Sequence, residues 1–387
     1  MIISRLRLKN WRNFRTLDAD IDLQRRQFLI GPNASGKSNF LDVFRFLRDI
    51  ANPEGGGLQK AIRDRGGVSK LHNLATRGDP EITIEVALAS APNSAPEWRY
   101  GIGIKQETSG NRKILLTHER VWCKDKQILD RPDDQDRADP LRLTQTFLEQ
   151  INANQAFRDI ADFFGNITYL HLVPQLLRFA NAIQGQNLEN DPFGQGFLER
   201  IANTPDKTRQ KRLGRIEEAL KTVIPQSKQL RFVRDKDNGR PHIEALYTHW
   251  RPNAGWQRED QFSDGALRLI GMLWMLLEGR GLLLLEEPEL SLHAGIIGQL
   301  AALISTMQRT RNRQVLISTH SDALLGDPGI DGREVLVLTP DKEGTDILPA
   351  SDFEDIKALL ASGFTVGEVA LPRTTPSTAN QLSIAIG

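Results

Sequence analysis

The stretch RQFLIGPNASGKSNF (residues 26–40) decides the fold of this 387-residue chain. A short apolar run ends at Gly31, and apolar residues at helical spacing begin after Ser38. This order predicts a buried β-strand, a tight glycine-containing loop and an α-helix, as at the start of an α/β architecture. Backbone N–H groups of such a loop point inward, and the start of the helix adds a partial positive charge. We therefore expect an anion-binding loop over residues 31–38.

The loop fits the pattern G-x-x-x-x-G-K-[ST], which between a strand and a helix is a phosphate-binding loop, or P-loop. Lys37 is expected to reach the β- and γ-phosphates of ATP, and the Ser38 hydroxyl to bind Mg²⁺. For Asn33 and Ser35, filling the turn is the alternative role. The nucleotide-binding residues predicted here are Gly31, Asn33, Ala34, Ser35, Gly36, Lys37, Ser38 and Asn39.

The stretch LLLLEEPELSLH (282–293) supplies the acids that such a loop requires. One carboxylate has to join the Mg²⁺ shell, and another has to polarise the attacking water. Successive strand residues point to opposite sides, so Glu286 and Glu287 can serve one site only if the backbone turns there, as Pro288 indicates. We expect Glu286 in the metal shell, Glu287 as the general base, and Glu289 in a structural or subunit-contact role.

Two further segments carry candidate phosphate contacts. His320 follows the apolar run QVLIST (314–319) and could hydrogen-bond a γ-phosphate, whereas a capping or buried core histidine is the alternative. FSDGALRL (262–269) is a polar turn that opens an apolar helix, where Ser263 and the Gly265 N–H would form an anion site. Taken alone, this segment is an ordinary helix N-cap.

The ordered set resembles the ATP-binding-cassette (ABC) superfamily in its RecF/SMC/Rad50-like branch. FSDGALR resembles the signature motif, LEEPELSLH the acidic strand end, STHSDALL the switch-histidine segment and LRLKNWRNF the opening strand. More narrowly, the chain resembles the compact AAA_21-type ATPases of bacterial defence and toxin operons. The resemblance implies an α/β P-loop NTPase fold like an SMC head, with a β-rich lobe and an inserted helical subdomain. It also implies a head-to-tail homodimer with ATP between the P-loop of one subunit and Ser263 and Gly265 of the other.

The chain departs from the family pattern at three positions without losing a catalytic group. Glu286 stands where Asp is more common, Ala294 replaces the usual Pro, and Phe262 replaces Leu before the signature serine. In this superfamily a glutamine usually contacts Mg²⁺. Gln175, after the predicted strand TYLHLV, is the candidate metal ligand, and an ordinary glutamine at a helix start is the alternative.

The pattern along the chain predicts four segments. They are an N-terminal ATPase lobe with the P-loop and antiparallel strands (1–135), a mainly helical insert (136–255), a C-terminal ATPase lobe (256–350) and a tail (351–387). EVLVLTP (334–340) is the last predicted strand, with Asp341 and Asp346 as turn residues. Because few residues follow His320, we expect no metal-dependent nuclease domain after the ATPase.

The composition is typical of a cytoplasmic globular protein, with 39% hydrophobic and 26% charged residues and one cysteine. No signal peptide or membrane span is expected, because the N-terminus is charged and the most apolar long stretch (267–285) contains charged residues. The formal net charge of +1 gives no global basic field. DNA contact is possible through local patches at 5–15 or 207–215, although the second is more typical of a solvated helix face.

These features favour an ATP-hydrolysing homodimeric switch that regulates a separately encoded effector, a nuclease or a toxin, in bacterial anti-phage defence. A RecF-like DNA-binding ATPase in repair or recombination is the alternative, and the near-zero net charge argues mildly against it. A motor subunit of a membrane transporter is disfavoured by the large insert between the P-loop and the signature. A scaffold without turnover is disfavoured by the presence of Glu287.

Overall fold

The computed structural model describes residues 1–52, 55–76, 78–107, 112–179, 193–248, 256–279 and 281–375. Within these ranges the strands are β1 (Ile2–Trp11), β2 (Phe14–Asp22), β3 (Arg26–Ile30), β4 (Ile82–Ala89), β5 (Trp98–Gln106), β6 (Ile114–Cys123), β7 (Lys126–Arg131), β8 (Thr168–Leu170), β9 (Ser227–Arg234), β10 (Pro241–Tyr247), β11 (Gln257–Arg258), β12 (Leu283–Glu286), β13 (Val315–Ser318), β14 (Val335–Pro340) and β15 (Thr345–Pro349). The α-helices are α1 (Lys37–Ala51), α2 (Leu58–Arg63), α3 (Val68–Leu71), α4 (Asp134–Ala138), α5 (Arg158–Gly165), α6 (Pro174–Arg178), α7 (Phe197–Ala202), α8 (Asp206–Val223), α9 (Asp264–Leu277), α10 (Ala294–Arg311), α11 (Asp322–Leu325), α12 (Glu354–Ala361) and α13 (Val366–Ala370). The predicted tail (351–387) is described only as far as residue 375.

The described residues form two compact units. The first comprises those of Met1–Thr168, Arg280–Leu284 and Asn312–Gly387, and the second those of Tyr169–Gly279 and Leu285–Arg311. The chain passes between the units within β8 and within β12. The four segments predicted from the sequence divide the chain differently from these two units, and their boundaries remain a proposal.

An antiparallel sheet in the order β2-β1-β4-β5-β6-β7 lies in the first unit. On β1, Leu6 and Leu8 are buried whereas Arg5 and Arg7 are exposed, because successive side chains of a strand point to opposite faces. This sheet confirms the predicted β-rich lobe.

A second six-stranded sheet has the order β15-β14-β3-β13-β12-β8. Strand β3 is parallel to both β13 and β14, and all five of its residues are buried, as expected for the centre of a parallel sheet. The strand, loop and helix predicted around the P-loop are therefore confirmed, and so is the α/β class.

Strand β15 was not predicted, and the assignment of Asp346 to a turn was wrong. Asp346 lies on β15, which pairs antiparallel with β14. Its neighbours Thr345 and Ile347 are buried while Asp346 is exposed, which is the alternation of a half-buried strand. The turn itself covers residues 341–344, where the Asp341 N–H donates to the Gly344 carbonyl at 2.7 Å.

Helix α1 fixes the end of the P-loop in the first unit. The predicted apolar face is buried, and Leu41, Phe46 and Ile50 on other sides of the helix are buried as well. The ring centroids of Phe46 and Trp11 on β1 are 5.2 Å apart, at a spacing favourable for aromatic packing. A helix buried on nearly all sides has little freedom to tilt, so the end of the P-loop is held in a fixed position.

The second unit contains a three-stranded sheet in the order β11-β10-β9 and the apolar helix α9, buried from Ala266 to Leu277. Helix α8 buries Leu213, Ile216 and Leu220 and exposes Lys207 and Lys211. The basic stretch 207–215 therefore lies along a solvated helix face, as the sequence favoured.

None of the helices in the described ranges is both long and apolar enough to cross a membrane.

Candidate nucleotide-binding site

The P-loop connects the buried end of β3 to the start of α1. Gly36 precedes the helix with φ 100°, a left-handed conformation that favours glycine. A Cβ atom at Gly36 would lie only 1.9 Å from the Asn13 side-chain nitrogen, so no side chain fits there. Asn33, Ala34 and Ser38 are exposed whereas Ser35 is buried. The exposed residues can therefore face a ligand, whereas the Ser35 side chain is packed inside the loop.

Lys37 spans this loop. Its Nζ donates to the carbonyls of Gly31 at 3.0 Å and Pro32 at 3.1 Å, and the side chain is buried. An ammonium group held by two carbonyls of the loop is placed to exchange them for phosphate oxygens.

His320 lies at the same sheet edge as the P-loop. Strand β13 is parallel to β3 with Ser318 opposite Leu29, and the Thr319 N–H donates to the Leu29 carbonyl at 3.1 Å. Parallel neighbours end at one edge, so the residues after β13 and the loop after β3 share it. His320 is exposed, which excludes the alternative of a buried core histidine.

A cavity of about 610 Å³ lies beside the P-loop in the first unit. Its walls are Arg12 and Asn13 of the β1–β2 turn, Ala34, Asn39, and residues from 69 to 75 and from 340 to 345. Its volume is within the range of ligand pockets in proteins.

The acidic strand end belongs to the second unit. Glu286, the last residue of β12, accepts a hydrogen bond from the Tyr169 hydroxyl, and its carbonyl is 3.4 Å from His171 Nδ1. Glu287 has φ 44°, an uncommon conformation for a residue other than glycine. The backbone thus turns at the residue where the sequence requires it, so that adjacent glutamates need not point to opposite sides.

The signature segment packs directly on the turn after Glu287. Ser263 is the N-cap of α9, and its Oγ accepts from the Ala266 N–H at 3.2 Å, so the N-cap interpretation is confirmed. A Cβ atom at Gly265 would lie 2.7 Å from the Ser291 carbonyl oxygen. Because glycine has no Cβ atom, the start of α9 can lie this close to the turn.

Gln175 lies at the start of α6 in the same unit. Its Nε2 donates to Asp264 at 2.8 Å, and Arg178 contacts the other oxygen of Asp264 at 2.7 Å. These contacts tie α6 to the signature segment. The assignment of Gln175 to Mg²⁺ remains a prediction.

Arg268 is a buried cation on the signature helix. Burial lowers the pKa of its guanidinium, while the carboxylates of Asp264, Glu289 and Glu287 act in the opposite direction. The turn with Glu287 and the helix with Ser263 are thus linked by charge as well as by packing.

Four residues of the site were missed at the level of sequence. Tyr169 and His171 approach Glu286, and their i, i+2 spacing on a predicted strand could have placed them on one side. Asn13 and Thr345 both contact the Ser35 carbonyl. The spacing of Asn13 and Thr345 carries no such signal, because they lie near opposite ends of the chain.

Comparison with known proteins identifies the fold. The structure is similar to that described as "Crystal structure of the SmcHead bound to the C-winged helix domain of ScpA", with a TM-score of 0.53 and 14% identity, covering 90% of this chain and 98% of that chain. A Pyrococcus furiosus Smc head domain with an extended coiled coil, bound to the C-terminal domain of ScpA, gives a TM-score of 0.50 and 13% identity, covering 93% and 99%. The SMC-head-like fold expected from the sequence is confirmed. No protein of curated function matches the sequence.

A family model described as "AAA domain, putative AbiEii toxin, Type IV TA system" matches residues 28–326. This range covers most of the chain and includes the P-loop, the signature segment, both adjacent glutamates and His320. The chain therefore belongs to the AAA_21 family of P-loop ATPases.

Proposed function

We propose that this protein binds and hydrolyses ATP, and that it uses the cycle to switch a separately encoded effector. The proposal of ATP hydrolysis rests on the geometry of the P-loop. Lys37 lies across the loop, Ser38 is exposed, and His320 lies at the same sheet edge. Membership of the AAA_21 family also supports ATP as the substrate.

Mg²⁺ fits the donors available. In the part of the chain that the structure describes, no cluster of three or more His, Cys, Asp or Glu side chains could hold a metal. Mg²⁺ in ATPases requires none, because phosphates and waters supply most of its ligands. The Ser38 hydroxyl and the Glu286 carboxylate are the proposed protein ligands, with Gln175 as a further candidate. When bound, Mg²⁺ neutralises charge on the β- and γ-phosphate oxygens.

The protein side chains have separate proposed tasks. Lys37 exchanges its two carbonyl partners for phosphate oxygens, and loop N–H groups between Asn33 and Ser38 surround the phosphate. Glu287 accepts a proton from the attacking water, and His320 donates a hydrogen bond to the γ-phosphate. Both glutamates and the P-loop lie within the residues matched by the family model, which supports the assignment of the glutamates to the P-loop nucleotide.

The nucleoside is proposed to lie in the 610 Å³ cavity beside the P-loop. Ala34 and Asn39 belong both to the predicted nucleotide-binding set and to the cavity wall. A triphosphate on residues 31–38 would therefore leave its ribose and base next to this space.

A homodimer is proposed to complete the site. Ser263 and the Gly265 N–H lie at the start of α9, a helix of 14 residues whose N-terminus favours an anion. Contact with the γ-phosphate on a second subunit would make ATP part of the interface, so that hydrolysis loosens it. The packing of Gly265 against Ser291 supports communication from this contact to the turn that carries Glu287.

The effector is proposed to be a nuclease or a toxin in bacterial anti-phage defence, consistent with a family described by a toxin and a type IV toxin–antitoxin system. The Smc heads of similar fold are bound to a domain of another protein, ScpA. A head of this fold can thus carry a separate protein on its surface.

Residues 5–15 do not favour the alternative of a DNA-binding ATPase. Carboxylates next to these cations reduce the local positive potential that attracts DNA phosphates. The pairs are Arg5 with Asp22, Arg7 with Glu85, Lys9 with Asp79, Arg12 with Asp42 and Arg15 with Glu343.

The test is Glu287→Gln, measured by ATP binding, phosphate release and mass in solution. Because the substitution removes the base but keeps size and hydrogen bonding, ATP binding should persist, turnover should fall about 100-fold or more, and an ATP-bound dimer should accumulate. Glu354→Gln, at an exposed position on α12, is the control and should hydrolyse ATP at the wild-type rate. Wild-type turnover by Glu287→Gln would refute the base assignment. A wild-type protein that fails to bind ATP with Mg²⁺ would refute the proposed function.

A further inference from the structure

The carbonyl of Ser35, in the middle of the P-loop, accepts two hydrogen bonds from side chains outside the loop. Asn13 Nδ2 donates to it at 2.7 Å, and Thr345 Oγ1 donates to it at 2.9 Å. Asn13 follows β1, whereas Thr345 begins β15. Two distant segments of the first unit therefore converge on one backbone atom of the loop.

The two side chains also bind each other, which closes the network. Asn13 Nδ2 donates to Thr345 Oγ1 at 2.7 Å, and the Thr345 N–H donates to the Asn13 carbonyl at 2.8 Å. Asn39 Nδ2 donates to Asn13 Oδ1 at 2.8 Å. Thr345 is 5% exposed, so its hydroxyl exchanges little with water. Each of these polar groups therefore has a fixed direction.

The direction of the Ser35 carbonyl determines that of the next N–H group. A trans peptide is planar, and its C=O and N–H point in opposite directions. Because Asn13 and Thr345 hold the Ser35 carbonyl on the outer side of the loop, the Gly36 N–H is aimed to the opposite side. Gly36 has φ 100° and no side chain to resist this orientation.

We propose that Asn13 and Thr345 are positioning residues for phosphate binding, acting through the Ser35–Gly36 peptide. This inference rests on the proposed function, because it assigns the aimed N–H group to the phosphates of ATP. Loss of the Thr345 hydroxyl would leave the carbonyl with one side-chain donor and allow the peptide to rotate. Preorganisation would be lost, and the affinity for phosphate would fall.

The network also joins the P-loop to the wall of the 610 Å³ cavity, because Asn13 and Thr345 are among its lining residues. The turn 341–344 leads directly into Thr345 and lines the same cavity. The segment after β14 thereby acts on nucleotide binding although it lies far beyond the P-loop in the chain.

The experiment compares Thr345→Val with Thr345→Ser. Valine keeps the shape and removes the hydroxyl, whereas serine keeps the hydroxyl. Thr339→Val, at an exposed position of β14, is the matched control. The readouts are ATP affinity by calorimetry, kcat and KM for hydrolysis, and amide hydrogen exchange of residues 33–36 without nucleotide.

We expect Thr345→Val to weaken ATP binding about tenfold and to raise KM more than it lowers kcat. Exchange of the loop amides should become faster, while Thr345→Ser and Thr339→Val stay within about twofold of wild type. Wild-type ATP affinity and loop exchange in Thr345→Val would overturn the positioning role, as would an equal loss in Thr345→Ser. Absence of ATP binding by the wild-type protein would instead overturn the proposed function, and the exchange measurement would still decide whether Thr345 orders the loop.

Discussion

Lys37 is the cation that the P-loop carries before any phosphate arrives. Its ammonium group donates hydrogen bonds to the carbonyls of Gly31 and Pro32, which belong to the loop itself. Charge-assisted hydrogen bonds to phosphate are stronger than those to a neutral carbonyl, which gives the exchange a favourable free energy.

Lys37→Ala should therefore reduce ATP affinity by about 100-fold or more, because two or more charge-assisted hydrogen bonds are lost. Lys37→Arg should restore little of it, since a planar guanidinium does not fit a site shaped for a compact ammonium group. Titration calorimetry with ATP and Mg²⁺ measures the ATP affinity of both variants. ATP affinity within threefold of wild type in Lys37→Ala would contradict the assigned contact.

Local sequence signals predicted some site residues but not others. The turn at Glu287 follows from two facts visible in the sequence, the alternation of strand side chains and a proline at the next position. The contacts of Asn13 with Thr345 join residues 332 positions apart, and no local pattern encodes such a pairing. The role of a P-loop lysine is contained within its own motif, whereas the residues that shape the loop from outside depend on the fold.

At the scale of elements, α9 and the turn after β12 behave as one piece. The start of α9 approaches the turn at Gly265, and the turn itself is closed by a hydrogen bond from the Leu292 N–H to the Glu289 carbonyl at 3.1 Å. Ser291 within this turn has φ 63°, so the turn has little tolerance for movement.

Gly265→Ala should disturb this contact. The added Cβ would meet a backbone oxygen at 2.7 Å, and the helix start or the turn would have to shift. We expect the free energy of unfolding to fall by about 1–3 kcal/mol, and ATP turnover to fall because Glu287 moves with the turn. Urea denaturation and a phosphate-release assay provide the two measurements.

Gly214→Ala on α8 is the matched control, because nothing lies within 4 Å of the added Cβ atom. In a helix interior this exchange should raise the free energy of unfolding by about 0.5–1 kcal/mol. A Gly265→Ala protein as stable and as active as Gly214→Ala would show that the close approach has no consequence.

Element patterns were predictable where the signal repeats along the chain. The apolar run of β3 gave the correct element. For α1 the pattern predicted one buried face, yet Leu41 and Phe46 are buried too, because this helix lies inside its unit. β15 was missed since a turn with Gly344 precedes a strand of only five residues.

At the scale of the whole molecule, the described part of this near-neutral chain contains compact ion-pair clusters, some of them buried. One cluster joins α1 to the β1–β2 turn and to the segment after α2. Asp42 accepts from Arg12 at 2.7 Å and from Arg65 at 3.0 Å, and Arg65 also contacts Asp49 at 2.8 Å. Asp42 lies on the helix that starts at Lys37, so this cluster supports the helix on which the P-loop depends.

The pKa of Asp42 reflects this environment. Burial alone would raise the pKa of its carboxyl, but Arg65, Arg45 and Arg12 outweigh that effect and hold the pKa below its usual value. A carboxyl whose pKa is lower in the folded than in the unfolded state binds fewer protons when folded. Its contribution to stability is therefore fully present above the unfolded pKa of about 4 and is lost as the pH falls through the folded pKa.

Asp42→Asn should consequently lower the free energy of unfolding by about 3 kcal/mol at pH 7, because the buried Arg65 guanidinium loses one of its two carboxylate partners. The difference from wild type should stay constant down to about pH 5 and shrink below about pH 4, where the wild-type carboxyl binds a proton first in the unfolded and then, at lower pH, in the folded protein. Asp130→Asn removes an exposed pair with Arg120 and should cost less than about 1 kcal/mol over the same range. Urea denaturation from pH 7 to pH 3 tests both variants. A difference for Asp42→Asn that does not change with pH would mean that packing, and not the charge of Asp42, holds α1 against the β1–β2 turn.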